Sequence, residues 1–393
     1  MKMGRILALL CVLFMLTGCS GGQEIESCLF VISMAVDPAQ DGNLTVTVKA
    51  LSGTQDAAAP QEGEEAGEGE TETQKRKEAT EPGYVVMSAT AKSCLAALDL
   101  LGATTPRTVN LSQLQEVVLS RAIAESGAAL TILREIHALF EANGGAVVVV
   151  TPDNAGDFIR RQYAMFGVRL SQYLRVLFDH FEEIGSIPSG AHLEQVIRAM
   201  ASGTQDAAAV YAAKNDFGAT LALDGDSVTD RLPGHLPRTS PAHNEYLGSA
   251  VFSGPKMVGT LTGDETTMLR LLRGDAIANS FVLGSAMMQV NRRARVKTDV
   301  RHEGDKTVLR AEIAMRLVLA AGAMEGTAGD LAAQVERSAA AVISKLQAMG
   351  SDAVGFGKKA VRRYKDIPSW EASGWENAYR HAEIEAIAQI SVH

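Results

Sequence analysis

The sequence predicts an α+β protein of more than one domain, with an N-terminal mixed-sheet region carrying helices and a C-terminal antiparallel sheet packed against a long amphipathic helix. Three observations carry that expectation. Between residues 29 and 150, strand-like and helix-like runs alternate, as in mixed α/β domains. Beyond a Pro- and Gly-bearing stretch at 225–245, short strand-like runs dominate. Leu331, Val335, Val342, Leu346 and Met349 then fall on one helical stripe. The 393 residues are 46% hydrophobic and 21% charged, a globular composition with room for two or three cores. A formal net charge of −9 argues against nucleic acid as the main partner, because phosphate neutralisation needs clustered Lys and Arg.

The first residues read as an address. Lys2 and Arg5 precede an apolar run from Ile6 to Leu16, too short for a spanning helix and the right length for a signal peptide over 1–18. Leu16-Thr17-Gly18-Cys19 follows and resembles the lipobox of bacterial lipoproteins. The resemblance implies diacylglycerol on the Cys19 sulfur, cleavage before Cys19, and a mature body tethered outside a membrane. Two acyl chains convert reversible contact into stable anchoring. Loss of Lys2 and Arg5 would make the mature chain two charges more negative, so lipid rather than a basic patch would hold it. Cys28 and Cys94 then remain, as a disulfide or as two buried thiols.

The elements follow in order through the N-terminal region, 19–224. Residues 29–36 read as a buried strand, and Leu44, Val46, Val48 and Ala50 alternate with polar residues to complete a hairpin. Residues 52–82 lose their apolar content and carry eight Glu between 61 and 82, which predicts a solvated, disordered acidic loop. A strand at 84–87, a helix over 89–101, a strand over 111–119, a helix over 128–143 and a buried strand at 147–150 follow. Residues 153–203 are helix-rich, with Phe158, Tyr163, Phe166, Leu170 and Leu174 as core. The stretch 225–245 reads as a linker, and 246–393 as the C-terminal α+β domain. That domain holds a hairpin over 246–261, a helix over 262–272, strands near 278–290, 294–301 and 307–320, the long helix, and a closing strand from Ala382 to Val392. The word Ser-Gly-Thr-Gln-Asp-Ala-Ala-Ala occurs at 52–59 and again at 202–209, without a repeat architecture around it.

No chemistry-bearing motif emerges. The histidines lack the i, i+4 pairing of a helical zinc site, with His180 and His192 the nearest pair, so no metal and no cofactor is expected. Ser253-Gly-Pro-Lys256 has the spacing of serine acyl enzymes, but Gly254-Pro255 places it in a hairpin turn. Glu182-Glu183 and Glu383/Glu385 read as solvated acids rather than a glycosidase pair.

Several stretches are similar to the Ger(x)C family of spore-germination lipoproteins. Glu24-Ile25 and a strand ending in Asp37 resemble the family's opening, and Leu111 to Gly127, Leu133-Arg134-Glu135 and the Val147 strand resemble its strand, helix and strand. In the second domain, Gly248-Ser249-Ala250-Val251-Phe252, Lys256-Met257-Val258-Gly259 and Glu265-Thr266 resemble the family hairpin. Asp352-Ala-Val-Gly355-Phe356-Gly357, with Trp370 and Trp375 after it, resembles the family's Asp-x-x-Gly-x-Gly turn. Physically, these glycines let the chain turn sharply around one buried ring, with the tryptophans packed over it. The resemblance implies a non-enzymatic C component of a nutrient germinant receptor, tethered through Cys19 to the outer face of the spore inner membrane. Its implied partners are a transporter-like integral-membrane subunit and a second membrane subunit. The rival reading is a solute-binding lipoprotein of an importer, which would need two similar lobes around a hinge.

Overall fold

The structure is a computed structural model. It describes residues 27–52, 83–139, 142–166, 168–215, 231–238, 240, 242–275, 280–283, 286–304, 306–321 and 327–392. The signal peptide and lipobox, the acidic loop beyond Ser52 with nearly all of the first copy of the repeated word, and residues 225–230, 239 and 241 of the linker lie outside the described residues.

The strands of the N-terminal region are β1 (Cys28–Pro38), β2 (Leu44–Leu51), β3 (Tyr84–Ala91), β4 (Thr108–Asn110), β5 (Glu116–Ser120), β6 (Val147–Thr151) and β7 (Ala208–Lys214). Its helices are α1 (Cys94–Gly102), α2 (Arg121–Ser126), α3 (Ala129–Ala138), α4 (Ala155–Arg160), α5 (Leu170–Phe181) and α6 (Leu193–Ala201). The expected strand over 111–119 is displaced to 116–120. Asn110 turns the chain by accepting from the Ser112 N–H at 2.9 Å, and Leu111 and Leu114 drop into the core instead of pairing.

These strands join one nine-stranded sheet in the order β3-β2-β1-β5-β6-β7-β8-β9, with β4 also paired to β1. Its centre is parallel, from β1 through β5 and β6 to β7, and its flanks are antiparallel. Helices cover both faces of the centre, as parallel strands require. The alternation in β6 shows how: Val148 and Val150 enter the core under α1, α2, α3 and α6, while Val147 and Val149 enter the core under α4 and α5.

The hairpin β8 (Asn244–Ser253) and β9 (Lys256–Leu261), read from sequence as the start of the C-terminal domain, forms the last two strands of this same sheet. Left alone, β7 would expose an unpaired edge, and β8 closes it. Ala250 and Phe252 of β8 belong to the N-terminal core and Val251 to the C-terminal one. The turn at Gly254 is a hairpin turn, as Gly-Pro requires, with Gly254 at φ 53°.

The remaining elements are α7 (Gly263–Arg273), β10 (Ser280–Leu283), β11 (Ala286–Glu303), β12 (Lys306–Ala321), α8 (Ala328–Met349), the short helices α9 (Gly357–Ala360), α10 (Ile367–Glu371) and α11 (Trp375–Arg380), and β13 (Glu383–Val392). The four strands form a second sheet whose first three are antiparallel. The closing strand differs: β13 runs parallel to β12, because α8 and the helices after it form the crossover that a parallel neighbour needs. α8 starts at a capping box between Thr327 and Asp330, stops at Gly350 in the left-handed region, and buries Leu331, Val335, Val342 and Leu346 in the second core. Cys94 keeps a free, buried thiol, so the Cys28–Cys94 disulfide is absent.

Gly248 sits in β8 at φ +77°, and the Leu261 carbonyl of β9 occupies the place where a Cβ would stand. Gly248→Ala is therefore expected to cost about 2 kcal/mol or more through backbone strain and the displaced carbonyl. Urea unfolding would read this as a lower midpoint at unchanged slope, and a wild-type midpoint would contradict the strand geometry.

Candidate functional site

The residues singled out at 352–375 come together at the junction of the two cores. Beyond α8 the chain buries the Phe356 ring in the second core. Asp352 organises the turn: Oδ1 accepts the N–H of Gly355 and of Phe356, each at 2.9 Å, and Oδ2 accepts the N–H of Gly357 at 2.6 Å. Gly355 stands at φ +92°. At Gly357 a Cβ would meet the Thr204 carbonyl at 2.6 Å and Trp375 Nε1 at 3.0 Å, so the tryptophan does pack over the turn. Trp370 stacks beside Trp375 at 5.7 Å, and Tyr379 continues the row at 5.9 Å.

Sequence reasoning missed what faces this turn. The second copy of the repeated word docks on it: Asp206 Oδ2 accepts the Asp352 N–H at 2.7 Å, Asp206 Oδ1 accepts the Gly254 N–H at 2.8 Å, and the Asp206 N–H donates to the Asp352 carbonyl at 3.1 Å. Gln205 Nε2 donates to the Ala353 carbonyl at 3.2 Å. The word itself was the signal available, since a Thr-Gln-Asp run supplies acceptors for turn N–H groups. Three segments far apart in sequence, at 202–206, 253–254 and 352–357, are thus held together by side-chain-to-backbone bonds from Gln205 and Asp206 and one backbone bond.

Two arginines of α7 complete the junction, and nothing in their spacing announced them. Arg270 is buried, and its guanidinium donates to the carbonyls of Phe181 at 3.2 Å, Glu182 at 2.7 Å, Ile184 at 2.5 Å and Ile187 at 3.1 Å, satisfying the C-terminal end of α5 and the loop after it. Arg273 Nε donates to the Ala353 carbonyl at 2.8 Å. Glu182, read as a solvated acid, lies 3.5 Å from His192 and 4.0 Å from Arg270, and the hydrogen bond with His192, with the charge of Arg270, holds its carboxyl below the usual range.

A second polar centre lies inside the first sheet. Ser33 Oγ is 2.7 Å from Glu116 Oε1, Gln162 Nε2 reaches Glu116 at 2.5 Å and the Tyr246 hydroxyl at 3.1 Å, and Lys49 Nζ donates to the Gln162 carbonyl. Burial pushes Glu116 up to about 7. Beside it is a cavity of about 380 Å³ walled by Met165, Leu170, Tyr173, Leu177, Phe181 and Tyr246. Near the start of α4, Asp37 at the end of β1 accepts the N–H of Ala155 at 2.8 Å and of Gly156 at 2.9 Å. Asp37 and Asp352, singled out separately in the two domains, thus act alike, each buried carboxylate holding backbone N–H groups where a helix starts. Their oxygens are spent on holding these turns.

Burial pushes Asp352 up to about 7, against the pull of its three N–H donors. A carboxyl raised in the folded state contributes stability that is fully present below its ordinary value of 3.8 and is lost as pH rises through 7. Glu116 acts in the same direction and window. Stability is therefore expected to fall between pH 4 and pH 7 and to level above. Asp352→Asn should flatten that slope and cost about 1–3 kcal/mol, because its NH2 group would confront a backbone donor. Urea midpoints across pH would check both. Arg270→Met, which leaves the carbonyls beyond α5 without their donor, should cost about 3 kcal/mol or more, and a wild-type midpoint would deny the junction its role.

Comparison with known proteins places these features. Residues 21–214 match the family described as "Spore germination protein N-terminal domain", and residues 247–393 match "Spore germination B3/ GerAC like, C-terminal". Among solved structures, the crystal structure of the GerBC protein is similar at 13% identity and a TM-score of 0.48, covering 91% of this chain and 96% of that one. A search of curated proteins gives no match. With both of its halves matched, the chain belongs to the GerAC-like family of spore germination proteins.

Proposed function

We propose that this protein is the membrane-anchored C component of a nutrient germinant receptor, a non-catalytic lipoprotein needed for receptor assembly and for the response that triggers germination. The observation that carries the reading is the pairing of two matched spore-germination domains with Leu16-Thr17-Gly18-Cys19, which ends two residues before the first match begins. Diacylglycerol on Cys19 tethers the folded body to the outer face of the spore inner membrane. No helix among the described residues is long and apolar enough to cross a membrane, so attachment by a covalent lipid fits them. The integral-membrane partners are a transporter-like subunit and a second germination subunit, and the folded body offers them a rigid two-core surface. The unlike topologies of the two sheets, joined through the shared strand β8, favour this reading over an importer's solute-binding protein with two similar lobes on a hinge.

Cys19→Ala is expected to move the protein from the membrane fraction to the soluble fraction of spore lysates and to slow nutrient-triggered germination. Normal germination by the unanchored variant would count against the anchored role. Affinity capture of C-terminally tagged protein from detergent-solubilised spore membranes should bring down both membrane subunits, whereas recovery of an importer permease would favour the rival.

A further inference from the structure

We propose that the cleft between the two cores, edged by Arg198, Arg273, Lys358, Lys359 and Arg362, binds a small polyanion carrying two or more carboxylate or phosphate charges. The cleft has a volume of about 500 Å³ and lies directly outside the Asp206–Asp352 junction. That volume is in the range of small-ligand sites, about 300–1,000 Å³, rather than of flat protein interfaces.

The charge balance points to an anion. In a chain of formal net charge −9, five cations converge here from α6, from the end of α7 and from the segment beginning at α9. Two carboxylates line the same space, and both are engaged: Asp206 by the N–H groups of Gly254 and Asp352, Asp275 by the Ser189 hydroxyl. Arg273 spends its Nε on the Ala353 carbonyl, and Arg198 pairs with Glu194 at the outer edge. Among the described residues, the side chains of Lys358, Lys359 and Arg362 form no hydrogen bond or ion pair. Burial, and then the charge of Arg273, hold the Lys358 ammonium below its usual range, against the pull of the Asp352 and Asp275 carboxylates. Ser202 and Gln205 line the same wall and add polar groups beside the cations. A multivalent anion would neutralise several of these cations at once and connect α6 with the turn beyond α8. This site stands on charge and shape alone and does not depend on lipidation of Cys19.

The test uses the purified full-length chain in a non-ionic detergent at fixed ionic strength, titrated calorimetrically with inorganic tripolyphosphate and, separately, with citrate. Saturable binding of at least one probe is expected, weakened at least tenfold in Lys358→Glu/Arg362→Glu. Both side chains are exposed, and the milder Lys358→Gln/Arg362→Gln pair provides a second reading at smaller cost to folding. Arg134→Glu/Arg337→Glu makes the same charge change at exposed positions away from the cleft and should leave affinity within twofold. Tighter binding of citrate would assign a carboxylate ligand and tighter binding of tripolyphosphate a phosphate one. Absence of saturable binding, or equal weakening by the remote pair, would overturn the proposal.

Discussion

A strand that buries both faces has no side free for solvent, and β8 is such a strand. Ala250 and Phe252 complete the N-terminal core, and Val251 between them completes the C-terminal one. The period-2 geometry of extended backbone makes this possible, because neighbouring side chains point to opposite faces. Neither core is closed without β8, so the two domains share a wall rather than merely meet. Gly248 belongs to the same constraint, since the carbonyl of β9 reaches the backbone there only in the absence of a side chain.

The second recurring device is the buried or half-buried carboxylate spent on backbone N–H groups. Asp37 serves the start of α4, Asp352 the turn before α9, Asp206 the Gly254 turn, and Glu245 the N–H groups of Gly234 and Leu236. Burying a carboxyl is costly unless it is hydrogen-bonded, and each of these is. Such groups define loop shape at a junction. Burial raises the protonation ranges of Asp37, Asp206 and Asp352, outweighing the donors that pull the other way.

Rigidity at the junction also explains why an open cleft can persist beside it. Arg270 ties the end of α5 to α7, and Asp206 ties the 202–206 segment to the turn beyond α8. The cationic residues outside those ties are left facing the cleft, because their neighbours' acceptors are already engaged.

Much of this protein could be read without coordinates. Local pattern alone placed β6, α8 and β13, because a strand buried on both faces reads as a continuous apolar run, and a helix or strand buried on one face shows a period of 3.6 or 2. Gly254-Pro255 marked Ser253–Lys256 as a hairpin turn, and Asp352, Gly355, Phe356, Gly357, Trp370 and Trp375 were legible as one cluster because they are close in sequence. What tertiary structure alone decided is everything that depends on distant pairing. No local pattern says that the 246–261 hairpin joins the first sheet, that β13 runs parallel to β12, or that the second Ser-Gly-Thr-Gln-Asp-Ala-Ala-Ala word docks on Asp352. Arg270 reads as one more charge on an amphipathic helix until its four carbonyl partners, more than eighty residues away, are seen around it. Local propensity and patterning are properties of neighbouring residues, whereas strand partnership and junction chemistry are set by which surfaces remain unsatisfied once those local elements exist.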